Sequence, residues 1–438
     1  MKDHEGRERA RFLNVPYGAY LHREVPPEDA ELTHVGPETP CGEYLRRFWQ
    51  PVGFSAELGD LPLRIRIMGE DLVLFRDGRG RSGLLQLHCS HRGTSLEFGL
   101  VSARGIRCCY HGWLYDVDGQ ILETPGEPAG STLKDRLCHG AYPTHQHAGL
   151  VFAYLGPPDQ RPPFPIYANW EVPGHRLTVG LRTVWPCNWL QVKDNSMDPV
   201  HTAFLHTIVS GAHFSEEHGV LPELEWQETD RGMMYIATRR VGDHVWVRIA
   251  ELFLPNVHQF PPDWEHAREE RVHPVPQWTN WSVPIDDRTM MKIGFVHVQE
   301  EDQEAHDIPR ASFRDTGEYV GIVFGETGDR PYEERQRQPG DYDAAVSQRP
   351  IAVHALEHLG ATDRGVIMFR KLLRREIRAV HAGQKPCGPS PKEGETIPTY
   401  CRNAVLRLPP APTPEADRQL LRDTGRRVAA THAMGPSR

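Results

Sequence analysis

Two short stretches set thiols beside imidazoles. Cys89 and His91 are one residue apart in "HCSHRGTSLEFG", and Cys108 and His111 are two apart in "IRCCYHGWLYD". Sixteen residues lie between the pairs, and each pair is followed by a glycine, Gly93 or Gly112, which suits a tight turn. Thiolate and neutral imidazole both ligate metals, so two neighbouring loops can present one four-ligand set. The chain's 8 cysteines are sparse for 438 residues, which argues against a disulfide scaffold and for metal binding or catalysis where they cluster.

Zinc and a [2Fe-2S] cluster are the two readings. Zinc frameworks usually group their cysteines, whereas here cysteine and histidine alternate loop by loop. Alternation favours a cluster with two cysteines on one iron and two histidines on the other. Neutral imidazoles make it easier to reduce, at roughly -150 to +300 mV against about -400 mV for plant-type ferredoxins. Ligands and flanks together, "HRGTSLEFG" and "YHGWLYDVDG", resemble the Rieske cluster motif. The family spacing implies Cys108 as the ligand, and Cys109, where many relatives carry proline, is expected to be a buried free thiol.

A second set lies in "NWLQVKDNSMDPVHTAFLH", which holds Asp198, His201 and His206. Histidines five apart diverge by about 140° on an ideal helix. They converge only if the helix breaks or bulges between them. The stretch resembles the mononuclear-iron motif of Rieske non-haem iron oxygenases, in particular the phthalate-dioxygenase-like branch. The resemblance implies a facial triad of His201, His206 and a distant carboxylate around Fe(II), with positions open for oxygen. That carboxylate should open the penultimate helix, where "GDYDAAVSQRPI" offers Asp341, with Asp343 as rival. Asp198 is expected to bridge His201 to the cluster histidine, His111, of a neighbouring subunit in a homotrimer.

The same resemblance implies a terminal oxygenase fed by a separate flavin and iron-sulfur reductase using NAD(P)H, because no reductase module is visible. Substrates in this branch are aromatic acids, altered by dihydroxylation, monohydroxylation or O-demethylation. The strand "RTMMKIGFVHV" puts Met291, Ile293, Phe295 and His297 on one face, which is expected to line the pocket. The competing readings are a non-catalytic electron-transfer subunit that kept only the cluster and, more remotely, a zinc hydrolase.

These residues need elements to hold them. "LPLRIRIMGEDLVLFRD" alternates like a hairpin, and further short strands separated by glycine turns make residues 50–156 an all-β unit. The proline-rich "GPPDQRPPFP" marks its end. Residues 157–385 read as a larger domain of strands, a mid-region helix near 190–206 and late helices. One of these shows Thr362 as N-cap, a stripe of Val366, Phe369, Leu373, Ile377 and Val380, and Gly383 at its end. An arm and helix at 1–49 precede these, and a loose tail at 386–438 follows. The fold class is α+β, an all-β Rieske domain plus a catalytic domain of helix-grip type.

"GRGRSG" matches a dinucleotide fingerprint but lies between strands and opens no helix, so it reads as a hairpin turn. A net charge of -9 gives no footprint for nucleic acid. No apolar run is long enough to span a membrane, the polar start "MKDHEGRERARF" is neither a signal nor an anchor, and a cytoplasmic location is the expectation.

Overall fold

The computed structural model describes Leu13 and residues 16–21, 25–180, 182–208, 215–262, 269–299 and 325–430. Its first lobe is built from short hairpins. Leu63–Ile67 pairs with Glu70–Arg76 through a turn in which Met68 and Gly69 take φ of 46° and 79°. Glu70–Arg76 then pairs with Ser82–Gln86, so the "GRGRSG" run is a strand connection. There the Asp77 carboxylate accepts the N–H groups of Arg79 and Arg81, which explains the tight turn. A second sheet, Leu100–Ser102, Gly105–Arg107, Leu114–Tyr115 and Ile121–Glu123, stands beside it. Val73, Phe75, Leu85, Ile106, Trp113 and Tyr115 fill the space within this lobe, and Cys89 and Cys108 belong to the same apolar cluster.

The second lobe is dominated by a ten-stranded antiparallel sheet. Its central path runs His175–Val179, Thr289–Gln299, Trp278–Asp286, Val257–Phe260, His244–Phe253, Gly232–Val241 and Glu223–Thr229. One apolar core joins this sheet to the first lobe: Phe152 lies 5.4 Å from Trp281 and 6.2 Å from Phe295, ring to ring. Rings of this size, fully buried, cost about 3–5 kcal/mol each when truncated to alanine.

That packing corrects one expectation. Met291, Ile293 and Phe295 share a face as the alternation requires, but the face belongs to this core. Both sides of the strand are covered, so its polar side, marked by Lys292, is the one that meets a cavity. His297 is half-buried, and its Nε2 lies 2.8 Å from Thr279 Oγ1.

The helix Arg364–His381 buries Val366, Phe369, Leu373 and Ile377 and is followed by Gly383 at φ 73°. Thr362 does not cap it. Residues Ala361–Asp363 form a 3-10 turn leading in, and the Asp363 carboxylate accepts the Gly360 N–H at 2.6 Å. The arm before residue 50 folds onto this helix, where Arg374 pairs with Asp29 and Glu31.

Nor is the tail loose. Arg402–Arg407 pairs with His244–Phe253 inside the sheet, and the helix Pro414–Ala430 sets Leu421, Val428 and Ala429 against Met234, Ile236 and Val247. Arg422 and Arg426, which gave the tail its charged look, are paired with Glu223 and Glu225 at 2.9 and 2.5 Å. The helix that follows residue 364 is therefore the penultimate one, and Asp341 opens an earlier short helix, Asp341–Val346.

Candidate metal centres and the substrate cavity

The two cysteine-histidine loops repeat one design. The Cys89 N–H donates to the Thr94 carbonyl at 2.9 Å and the Gly93 N–H to the Cys89 carbonyl at 2.8 Å. In the second loop, the Cys108 N–H donates to the Trp113 carbonyl at 2.8 Å and the Gly112 N–H to the Cys108 carbonyl at 3.1 Å. Gly93 and Gly112 have φ of 76° and 75°, a region that strains any residue with a Cβ.

The thiols point inward, with Cys89 and Cys108 4% and 2% exposed. Burial pushes the Cys108 thiol up. The imidazoles sit at the rim, the rings of His91 and His111 4.4 Å apart, with His91 stacked on Trp113 at 4.8 Å. Tyr115 Oη lies 2.9 Å from Cys89 Sγ. Cys109, expected to be buried, is exposed. The strand ends at Arg107, and Cys109 lies in the turn that the Gly112 N–H closes onto the Cys108 carbonyl, where its side chain faces outward.

The mid-region helix runs only from Trp189 to Ser196, with the Asn188 side chain accepting the Leu190 N–H at its start. After a break, His201–Ala203 forms one helical turn and Phe204–Ile208 a π-helical one. The wider π-turn supplies the bulge that brings His206 round to His201, with ring centroids 5.2 Å apart. Asp341 Oδ1, from its own helix, lies 3.6 Å from His201 Nε2 and 3.3 Å from His206 Nε2. Burial alone would raise the Asp341 carboxyl, but His206 and His201, with Lys292 farther off, hold it below the usual range.

Asp343 is elsewhere, bonded to Arg330 and Arg335 at 3.1 and 2.6 Å and to the Gly340 N–H at 3.0 Å. His201 Nδ1 donates to the Asp198 backbone carbonyl, which leaves Nε2 with its lone pair toward Asp341. The Asp198 carboxylate accepts the Val200 N–H at 2.9 Å and stands 3.9 Å from His201 Nδ1.

Sequence reasoning missed several neighbours of this triad. Asn195 Nδ2 donates to Asp341 Oδ1 at 3.2 Å. Buried Asp194 pairs with Arg370, tying the site helix to the Arg364–His381 helix, although burial pushes its carboxyl up to about 6. Both residues lie in the stretch that carries the histidines, and helical spacing would have found them. The triad opens into a cavity of about 360 Å³ walled by Trp185, Tyr235, Phe260 and Trp278, with Asn280, Ser282 and Lys292 on the sheet side. That volume suits a small organic molecule.

The Rieske [2Fe-2S] domain family model matches residues 48–139. The chain is 43% identical to the tert-butanol monooxygenase / tert-amyl alcohol desaturase oxygenase subunit of Aquincola tertiaricarbonis, covering 94% of this chain and 91% of that one. This chain belongs to the Rieske oxygenases. Another member, the phenoxybenzoate dioxygenase subunit alpha of Ectopseudomonas oleovorans, is 36% identical over 86% of this chain and 91% of its own. The same fold is seen in the structure of dicamba monooxygenase bound to dicamba, at a TM-score of 0.57 and 18% identity, covering 78% of this chain and 99% of that one.

Rieske oxygenases carry a [2Fe-2S] cluster and a mononuclear iron, and both sites fit. Buried His91 Nδ1 has no hydrogen-bond partner, an orphan that a metal would satisfy. Among the described residues, His201, His206 and Asp341 are the set whose ligand atoms all lie within 4.8 Å, as one ion demands. The two loops set two thiols inside and two imidazoles at the rim, a split that suits two irons better than one zinc. Among the described residues no helix is long and apolar enough to cross a membrane.

Proposed function

We propose that this Rieske oxygenase uses O2, and electrons from a separate flavin and iron-sulfur reductase that oxidises NAD(P)H, to hydroxylate or O-demethylate an aromatic substrate bearing a carboxylate or methoxyl group. The observation that carries this reading is the His201, His206 and Asp341 triad opening into an aromatic-walled cavity. Relatives named for phenoxybenzoate and for dehydrodivanillate O-demethylation support the substrate class. Cys89 and Cys108 would hold one iron of the cluster, His91 and His111 the other, and the triad the mononuclear iron. When bound, the cluster supplies single electrons and the mononuclear iron a site for activating oxygen.

The chain's own residues do the rest. The Asp198 carbonyl fixes the His201 tautomer, Asn195 orients the Asp341 carboxylate, and the Trp185 and Trp278 rings exclude water from the cavity. Assembly as a homotrimer belongs to this proposal. Phe98, Leu100 and Tyr110 are 67, 66 and 58% exposed in and beside the cluster loops, an apolar rim suited to covering by a second copy. The half-exposed Asp198 carboxylate would then meet the neighbour's cluster.

The relative named for tert-butanol favours a second reading, a small tertiary alcohol, which the Asn280 amide and Ser282 hydroxyl in the cavity could hold. Oxygen uptake with a surrogate reductase, across methoxylated arenes, carboxylated arenes and tertiary alcohols, separates the two. Substrate-dependent uptake with an arene is expected, with formaldehyde release marking demethylation. Uptake with alcohols alone would replace the first reading by the second. Iron at cluster stoichiometry alone, with no uptake, would leave an electron carrier.

A further inference from the structure

Among the described residues, one cation in the cavity has no hydrogen-bond or ion-pair partner. Lys193, on the Trp189–Ser196 helix, is 2% exposed yet lines the cavity beside the triad. Among the described residues no carboxylate, carbonyl or hydroxyl accepts a hydrogen bond from it. The cavity's acidic groups are engaged elsewhere. Glu326 holds Lys292 through both oxygens at 2.8 and 2.7 Å, and Asp341 faces the two histidines and Asn195. Asp198 caps the Val200 N–H. In the same cavity His258 Nε2 is also buried without a partner. A buried ammonium without a counter-ion costs several kcal/mol, a cost that a ligand's negative charge would relieve.

We propose that Lys193 is a specificity-determining residue whose ammonium pairs with a carboxylate of the bound substrate, selecting anionic over neutral molecules and turning the rest of the substrate toward the triad. This rests on the oxygenase reading above and sharpens its substrate class from arenes in general to arene carboxylates. Burial, with the positive charge of Lys292 nearby, draws the Lys193 ammonium well below its ordinary range, and a carboxylate alongside would restore its charge. Lys292 cannot serve in its place while Glu326 neutralises it, and the Arg248 guanidinium is bonded to His218 Nε2 and the Pro261 carbonyl at 3.0 and 3.1 Å.

The test is equilibrium binding to the holoenzyme, read by calorimetry, of benzoate, 3-methoxybenzoate and 3-phenoxybenzoate beside their uncharged amides. Because no turnover is needed, an enzyme that consumed no oxygen with any arene would still report the preference. The wild type is expected to bind at least one acid at least tenfold more tightly than its amide. Lys193→Met should remove that preference, leaving amide binding within about twofold, while the melting temperature of the ligand-free protein holds or rises. Lys193→Arg should retain part of the preference, and serves if the methionine variant does not fold. Equal weakening of acid and amide in the variants, a lowered melting temperature with unchanged preference, or a wild type that binds no acid of the panel would overturn the proposal.

Discussion

The two candidate metal sites solve opposite problems with different parts of the chain. The cluster site is made by two loops of one small lobe, with thiols inside and imidazoles at the surface, fixed by backbone hydrogen bonds and positive-φ glycines. The triad lines a cavity, brought together from a broken helix and a second helix far along the chain, and is held by side chains such as Asn195. A centre that only passes electrons needs an edge near the surface. One that handles a substrate needs a closed room. Local backbone geometry suffices for the first, and tertiary packing is required for the second.

The sharpest way to break this contrast is at the thiols. Cys108→Ala should abolish the visible absorption of the cluster, while the outward Cys109→Ala should leave it intact. The reverse result would mean that the loop presents its other side to the metal.

Next come the two aspartates of one helix. Asp341→Asn should lose the mononuclear iron and cut turnover on the order of 100-fold or more, with the cluster spectrum unchanged. Asp343→Asn should keep the iron but cost about 1–3 kcal/mol, read from denaturant unfolding, because Arg330, Arg335 and the Gly340 N–H lose a charged acceptor.

A smaller effect belongs to the side-chain hydroxyl that meets a cluster thiol. Tyr115→Phe removes the hydrogen bond to Cys89 Sγ, and a bond worth about 1 kcal/mol corresponds to a fall of about 40 mV in the one-electron potential, measurable by spectroelectrochemical titration.

A change in pH dependence tests the second lobe rather than either metal. Burial holds the His297 imidazole down to about 3, from an ordinary 6.5. Its folded form therefore contributes stability that is complete above 6.5 and lost as pH falls toward 3. His297→Gln should flatten the decline of melting temperature between pH 7 and 4, and an unchanged slope would place the acid sensitivity elsewhere.

What was legible in the sequence follows the same division. The candidate cluster residues stood out because they are close in sequence and, with their glycines, carry the loop geometry. His201 and His206 were readable only with a bulge between them, which the π-turn Phe204–Ile208 provides. The choice of Asp341 over Asp343 lay beyond local reading. Residues two apart on a helix point about 200° apart, and only the positions of Arg330 and the histidines decide which faces the site.

The pocket face of Thr289–Gln299 was read backwards because an apolar face signals core, and here the core is shared with the first lobe. The strand Arg402–Arg407 was missed for a related reason. It is buried along four successive residues, without the alternation that marks a one-sided strand.

That late strand has a temporal meaning. It hydrogen-bonds to His244–Phe253, the strand whose Arg248 reaches the cavity, yet it leaves the ribosome roughly 150 residues afterwards. The cluster lobe has all its loops long before this and can acquire its metal early. The strand that carries Arg248 gains its second neighbour only when a segment made well after it docks, so the chamber that must confine reactive oxygen is braced after the cluster lobe has formed.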